Sequence, residues 1–110
     1  MKLQNEDMAT TILLANEPRA YREALEVALR TLRPLATVIV TDPESMDEYI
    51  LQHSPHVVDC SHLTQVVESS VPTWALIYPD GSNGVVLQIG GRQQAVTGID
   101  LEGIIALLAD

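Results

Sequence analysis

Residues 11–18 read Thr-Ile-Leu-Leu-Ala-Asn-Glu-Pro, a short aliphatic run that ends in polar residues and a proline. An apolar run of this length is typical of a strand that is buried on both faces of a sheet. Pro18 suits the first turn of a helix, where its missing N–H breaks no hydrogen bond. The stretch therefore predicts a buried strand that leads directly into a helix.

The same alternation of strand and helix continues along the chain. Tyr21, Leu25, Ala28 and Leu32 recur at helical spacing, and Pro34 ends this first helix. Three further strands are predicted, at residues 36–41, 56–60 and 73–78, and the helices between them begin near Asp42 and cover residues 62–69. After residue 78 come turn residues 79–84 and then two β-rich runs, 85–89 and 94–97, which predict a hairpin. Asp100 is positioned to cap a last helix.

Three β-α units followed by a fourth strand predict an open α/β sheet that is mainly parallel, with helices on both faces. The expected strand order is 2-1-3-4, with the hairpin extending the edge. We expect a flexible arm at residues 1–9 and a single stand-alone domain at residues 10–110. In such sheets ligands bind at the carboxyl ends of the strands, where the strand order reverses.

Composition and charge exclude several classes of function. The chain has 110 residues, a net charge of -9 and one cysteine. Residues 1–33 hold five basic and five acidic groups, so the whole acidic excess lies after residue 33. Nucleic-acid binding needs clustered lysines and arginines, so we expect no nucleic-acid partner. No apolar run is long enough to span a bilayer and no signal peptide is apparent, so a cytoplasmic location without a membrane partner is expected.

Two stretches resemble the receiver domains of response regulators. Receivers open with an aliphatic strand that ends in Asp-Asp-Glu-Pro, and this chain has Ala15-Asn16-Glu17-Pro18 at that place. Receivers also carry Pro-Asp, four apolar residues and then the phosphoacceptor Asp. Residues 55–61 read Pro-His-Val-Val-Asp-Cys-Ser, which puts Ser61 at the acceptor position. A shift of two residues would make Asp59 the acceptor instead.

The departures from the family pattern affect the residues that carry its chemistry. Ala15 and Asn16 stand in place of the two metal-binding aspartates, and a hard divalent cation needs charged oxygen ligands. The only lysine is Lys2, whereas the family uses a lysine after its fifth strand. Ile77 and Tyr78 replace the family's Ser or Thr at the end of strand 4, and the hairpin replaces the fourth helix.

The resemblance thus implies a three-layer, flavodoxin-like receiver fold that lacks phosphotransfer activity. The degenerate pocket that it implies consists of Ala15, Asn16, Glu17, Asp59, Cys60, Ser61 and Tyr78. We expect no enzyme activity, no cofactor and no metal. If Ser61 is at the acceptor position, Asp59 is expected to cap the third helix or to accept hydrogen bonds from loop amides. A carboxylate without partners inside a strand would be costly.

The remaining polar residues have simpler interpretations. His53, His56, Cys60 and His62 are of types that suit zinc, but they fall at opposite ends of the third strand, which argues against a metal site. Cys60 beside His62 is a possible nucleophile pair, but a small buried core residue is the favoured interpretation. Neither glycine cluster has the pattern of a phosphate-binding loop.

The sequence therefore predicts a bacterial signalling domain that acts through protein–protein contacts, including self-association into a homodimer. Two surfaces are candidates for these contacts. One is the hairpin edge at residues 94–98 together with the last helix. The other is a row of arginines on the first helix, for which a solvated, salt-bridged face is the favoured interpretation: Arg19, Arg22, Arg30 and Arg33.

Two alternatives of other classes remain open. The first is a small-molecule-binding regulatory domain, in which Asn16, Glu17, Ser61 and Tyr78 would contact the ligand at the carboxyl ends of strands 1 and 3. The second is a domain similar to the anti-sigma-factor antagonists, which are phosphorylated on a serine at a helix start. Ser61 would be that serine.

Overall fold

The computed structural model describes residues 10–77, 84–89, 91–97 and 103. Within residues 10–77 it contains three α-helices and one 3₁₀ helix. The helices are α1 (Arg19–Leu32), the 3₁₀ helix (Pro43–Ser45), α2 (Met46–His53) and α3 (Gln65–Ser70). The strands are β1 (Thr11–Ala15), β2 (Thr37–Val40), β3 (Val57–Cys60), β4 (Thr73–Ile77), β5 (Gly84–Ile89) and β6 (Arg92–Thr97).

The six described strands form one sheet in the order β2-β1-β3-β4-β5-β6. The predicted order of the first four strands and the hairpin at the edge are confirmed. The sheet is mixed, however, because β5 runs antiparallel to both β4 and β6, so the expectation of a mainly parallel sheet is wrong. Residues 78–83 are too few for the crossover that a parallel neighbour requires, and an antiparallel β5 is the geometry that such a connection allows.

The helices bury apolar residues against both faces of the sheet. Leu25 and Leu29 of α1 are fully buried against Ile12 and Leu14 of β1, and we call this side the α1 face. On the other side, the α2–α3 face, Met46, Ile50 and Val67 surround a second core that includes Leu13 and Trp74. Because alternate residues of a strand point to opposite faces, one continuous apolar run in β1 supplies both cores. Each fully buried leucine contributes about 1.5–3 kcal/mol of transfer free energy.

Local sequence signals explain where the helices begin and end. Pro18 precedes α1, and its carbonyl accepts the first helical hydrogen bonds. Asp42 caps the 3₁₀ helix by accepting a bond from the Ser45 amide at 3.2 Å. Helix α2 ends at Ser54, which adopts a left-handed conformation with φ of 47°. Thr64 caps α3, so this helix starts later than the predicted range of 62–69.

Several predictions concern residues outside the described ranges. These are the flexible arm at residues 1–9, the predicted turn at residues 79–84 apart from Gly84, Tyr78 and most of the last helix. Gly103 falls within the predicted last helix, and its conformation in the structure is helical. Among the described helices, none combines the length and the apolar character that a membrane crossing requires.

Candidate functional site

The parallel neighbours β1 and β3 bring the ends of the two receiver-like motifs together. Leu14 lies beside Asp59, and Ala15 lies beside Cys60. Asp59 follows Val58, which faces the α2–α3 core, so its side chain points to the α1 face. Asn16 comes one residue after Ala15, whose side chain belongs to the α2–α3 core. Asn16 and Asp59 therefore meet on the α1 face of the sheet.

The side chains of Asn16 and Asp59 form a buried polar pair. Asn16 Nδ2 donates a hydrogen bond to Asp59 Oδ1, and both residues are 0% exposed. Asn16 Oδ1 and Asp59 Oδ2 have no hydrogen-bond partner among the described residues. Buried polar atoms without partners are expensive, so this pair costs folding free energy where an apolar pair would not.

Burial decides the protonation state of Asp59. It raises the pKa of the carboxyl group from 3.8 to about 8, while the hydrogen bond from Asn16 opposes the rise. Asp59 is therefore mainly a neutral carboxylic acid at pH 7. A neutral acid is a poor nucleophile and a poor ligand for a hard cation, since both roles require the carboxylate.

The hydroxyl of Ser61 ties the end of β3 to the residue that follows Asn16. Ser61 Oγ accepts a hydrogen bond from the Glu17 amide at 3.0 Å and donates to the Glu17 carbonyl at 3.4 Å. The Glu17 carboxylate lies 3.6 Å from His62 Nε2 on the exposed surface, where it forms an ion pair when the imidazole is protonated. Ser61 thus joins the segment after β3 to the segment after β1. The N-cap of α3 is Thr64, whose Oγ1 accepts a hydrogen bond from the Val67 amide.

The arginines of the predicted interaction row have separate partners. Arg19 pairs with Glu23 at 2.9 Å, and Arg30 pairs with Glu26 at 2.9 Å. Arg22 instead donates to the Asn16 carbonyl at 3.3 Å, which connects α1 to the buried pair. The sequence analysis does not predict that contact, because it interprets the arginine row as a solvated, salt-bridged face. Arg33 lies just after α1, and its backbone amide donates to the Leu29 carbonyl.

Not all predicted pocket residues lie on the same side of the sheet. Asn16, Glu17, Asp59 and Ser61 come together, whereas Ala15 and Cys60 point into the α2–α3 core. Burial raises the pKa of the Cys60 thiol to about 12, helped by the nearby Asp59. This environment disfavours the thiolate that a nucleophile or a metal ligand needs.

The three histidines occupy different environments. The rings of His53 and Tyr49 lie tilted against each other with centroids 5.6 Å apart, and His56 Nδ1 accepts a hydrogen bond from the Thr11 amide at 3.1 Å. His62 faces Glu17 at the other end of β3. Over the described ranges, no three His, Cys, Asp or Glu side chains are grouped closely enough to hold a metal ion.

An open cleft of about 430 Å³ lies near the buried pair, between α1 and the segment that follows β2. Its walls carry polar side chains of both charges, including Arg19, Arg22, Glu23, Asp42 and Tyr49. The residues predicted to contact a small molecule, Asn16, Glu17 and Ser61, are not among the residues that line this cleft. The cleft is therefore a different site from the one that the sequence indicated.

Comparison of the chain with known protein families, with curated proteins and with solved structures finds no match. The resemblance to receivers consequently rests on the two sequence motifs described above.

Proposed function

We propose that this chain is a non-catalytic, pseudo-receiver signalling domain of the cytoplasm that acts through protein contacts. The observation that carries the proposal is the buried pair of Asn16 and Asp59 at the place where a receiver has its acidic pocket. A receiver needs an exposed carboxylate at that place. Here the carboxyl group is fully buried and largely protonated at pH 7.

Further features of the same region favour a role without phosphotransfer. The side chain at the first metal-binding position is Ala15, which is buried on the opposite face. The Ser61 hydroxyl at the unshifted acceptor position is engaged by the Glu17 backbone. The proposal includes the finer fold assignment, a flavodoxin-like receiver in which the hairpin β5–β6 takes the place of the fourth helix.

Incubation of the chain with acetyl phosphate and Mg²⁺, followed by intact-mass spectrometry, tests the proposal. We expect no added phosphoryl group in the wild-type chain or in Asp59→Asn. A phosphoryl group on the wild-type chain that hydroxylamine removes and that Asp59→Asn lacks would identify a working acceptor and overturn the proposal. Since acyl phosphates are sensitive to hydroxylamine and phosphoserine is not, the same treatment distinguishes modification at Ser61.

The cleft between α1 and the end of β2 supports one second candidate function, the binding of a small polar molecule. Arg22 lines this cleft, and its buried Nε has no hydrogen-bond partner among the described residues, so it is suited to hold an anionic group. A thermal-shift screen of nucleotides and metabolites tests this candidate. A stabilising compound whose effect is lost in Arg22→Met but kept in Arg33→Met would support it, and a flat screen would reject it.

A further inference from the structure

The two edges of the sheet differ in whether they are open to another strand. An edge strand presents unpaired N–H and C=O groups, and proteins commonly block such edges to prevent pairing with other chains. The edges here are β2 on one side and β6 on the other.

The β2 edge is short and is blocked by an arginine. The amides of Thr37 and Thr41 donate to the β1 side, so the alternate residue Val38 turns its carbonyl outward. Arg30 Nη2 donates to that carbonyl at 2.9 Å, and Glu26 holds the guanidinium in place at 2.9 Å. A second chain cannot pair with this four-residue strand without displacing the arginine.

Among the described residues, none blocks the β6 edge in this way. It is a six-residue strand whose residues are exposed except for the half-buried Val96. Within the described residues its hydrogen bonds are the ladder to β5 and a side-chain contact between Gln93 and Gln88. The strand contains no proline, lysine or acidic residue, and its one charge, Arg92, lies at its start.

We propose that β6 pairs antiparallel with β6 of a second copy of this chain. This inference rests on the proposed function of a domain that acts through protein contacts. Two identical edges that run antiparallel are related by a two-fold axis, so the same surface serves both partners. An axis perpendicular to the sheet at Ala95 puts Ala95 opposite its own copy. Gln93 then lies opposite Thr97, and Gln94 lies opposite Val96.

Charge favours a second copy at this edge. The chain has a net charge of -9, which opposes the approach of a second copy. The hairpin strands carry only the positive Arg92, and in the register above this arginine does not face its own copy. Strand β6 thus brings two acidic chains together at an edge that carries no acidic side chain. The product is a two-fold dimer with one continuous sheet.

A charge swap at Ala95 tests the proposal, because this residue faces itself across the axis. Multi-angle light scattering should give the mass of two chains for the wild type and of one chain for Ala95→Lys or Ala95→Glu alone. Mixing the two variants should restore the mass of two chains. Ala24 is an exposed alanine of α1 and provides the matched control, so Ala24→Lys and Ala24→Glu should remain dimeric.

A wild type that stays monomeric at millimolar concentration, or a dimer that both Ala95 variants retain, would overturn the proposal. If circular dichroism shows that the Ala95 variants unfold, amide exchange of the wild type decides instead. Protection of the β6 amides that rises with protein concentration would support pairing, and protection independent of concentration would reject it. If β6 pairing fails these tests, the proposed function still stands with another protein partner. Acyl phosphate formation at Asp59 would contradict the proposed function whatever the oligomeric state.

Discussion

The side-chain amide of Asn16 donates a hydrogen bond to the carboxyl group of Asp59 across two neighbouring strands, and water reaches neither side chain. The two residues are 43 positions apart in the sequence, and the parallel register of β1 and β3 brings them together. Because the pair is buried and holds a proton at pH 7, its energetics can be tested directly.

Replacement of Asp59 by asparagine should stabilise the fold at pH 7. Asparagine has the same shape, can accept the bond from Asn16 and needs no proton to stay neutral. The expected gain in the free energy of unfolding is up to about 4 kcal/mol, the cost of keeping a carboxyl group protonated about three pH units above its unfolded pKa. Urea denaturation measures it. The exposed control Glu44→Gln should change stability by less than about 0.5 kcal/mol, and a destabilised Asp59→Asn would contradict the interpretation.

The stability of the wild type should fall as the pH rises from about 4 to about 8. The unfolded chain releases the Asp59 proton above its ordinary pKa of 3.8, whereas the folded chain keeps it until about 8. The protonated group's contribution is therefore complete below pH 3.8 and is lost progressively up to about pH 8, at up to about 1.4 kcal/mol per pH unit. Denaturation curves of the wild type and Asp59→Asn should coincide near pH 4 and separate as the pH rises. A difference in stability between the wild type and Asp59→Asn that does not change with pH would contradict the raised pKa of Asp59.

Removal of the Arg30 guanidinium should open the β2 edge. Arg30→Met keeps much of the aliphatic stem but leaves the outward carbonyl of Val38 without its donor. We expect a loss of about 1 kcal/mol in stability and increased association beyond the dimer, which light scattering against concentration detects. Arg19→Met is the control, because Arg19 forms a similar exposed ion pair that does not touch a strand edge. If Arg30→Met and Arg19→Met lost the same stability and associated to the same extent, the result would contradict a blocking role of Arg30 at the β2 edge.

The thiol of Cys60 should be unreactive in the folded chain. It is fully buried, and its pKa of about 12 leaves almost no thiolate at pH 8. Its reaction with an aromatic disulfide reagent should be slower by a factor of about 100 or more in the folded chain than in urea. Ser70→Cys in a Cys60→Ala background places a thiol at an exposed site and should react rapidly without urea. Fast labelling of native Cys60 would show that this core opens readily.

Much of the fold follows from local patterns in the sequence. The apolar run before Asn16, the helical spacing from Tyr21 to Leu32 and the β-branched run that contains Val38 are each sufficient to predict their element. The order of the first four strands then follows from right-handed crossovers with α1 on one face of the sheet and α2 and α3 on the other. The mixed character of the sheet depends on the direction of β5. That direction follows from the small number of residues, 78–83, between β4 and β5. The helix and strand patterns do not contain this constraint.

The candidate site was only partly predictable. The end of β1 and the end of β3 could be placed next to each other, so Asn16, Asp59 and Ser61 were recognisable as neighbours. The partner of each side chain depends on register and on rotamers, which the sequence pattern does not specify. Arg22 illustrates this limit, since helical spacing suggests an ion pair with Glu26 but the guanidinium reaches the Asn16 carbonyl instead.

The most direct test of the central claim is an amide NMR spectrum of the chain with and without Mg²⁺ and beryllium fluoride, which together mimic an aspartyl phosphate. A non-catalytic domain with a buried, protonated Asp59 predicts that the amide peaks of Asn16 and of residues 59–62 do not move at saturating concentrations. A joint shift of these peaks with one equivalent bound, absent in Asp59→Asn, would show that Asp59 is a working phosphoacceptor and would contradict the account.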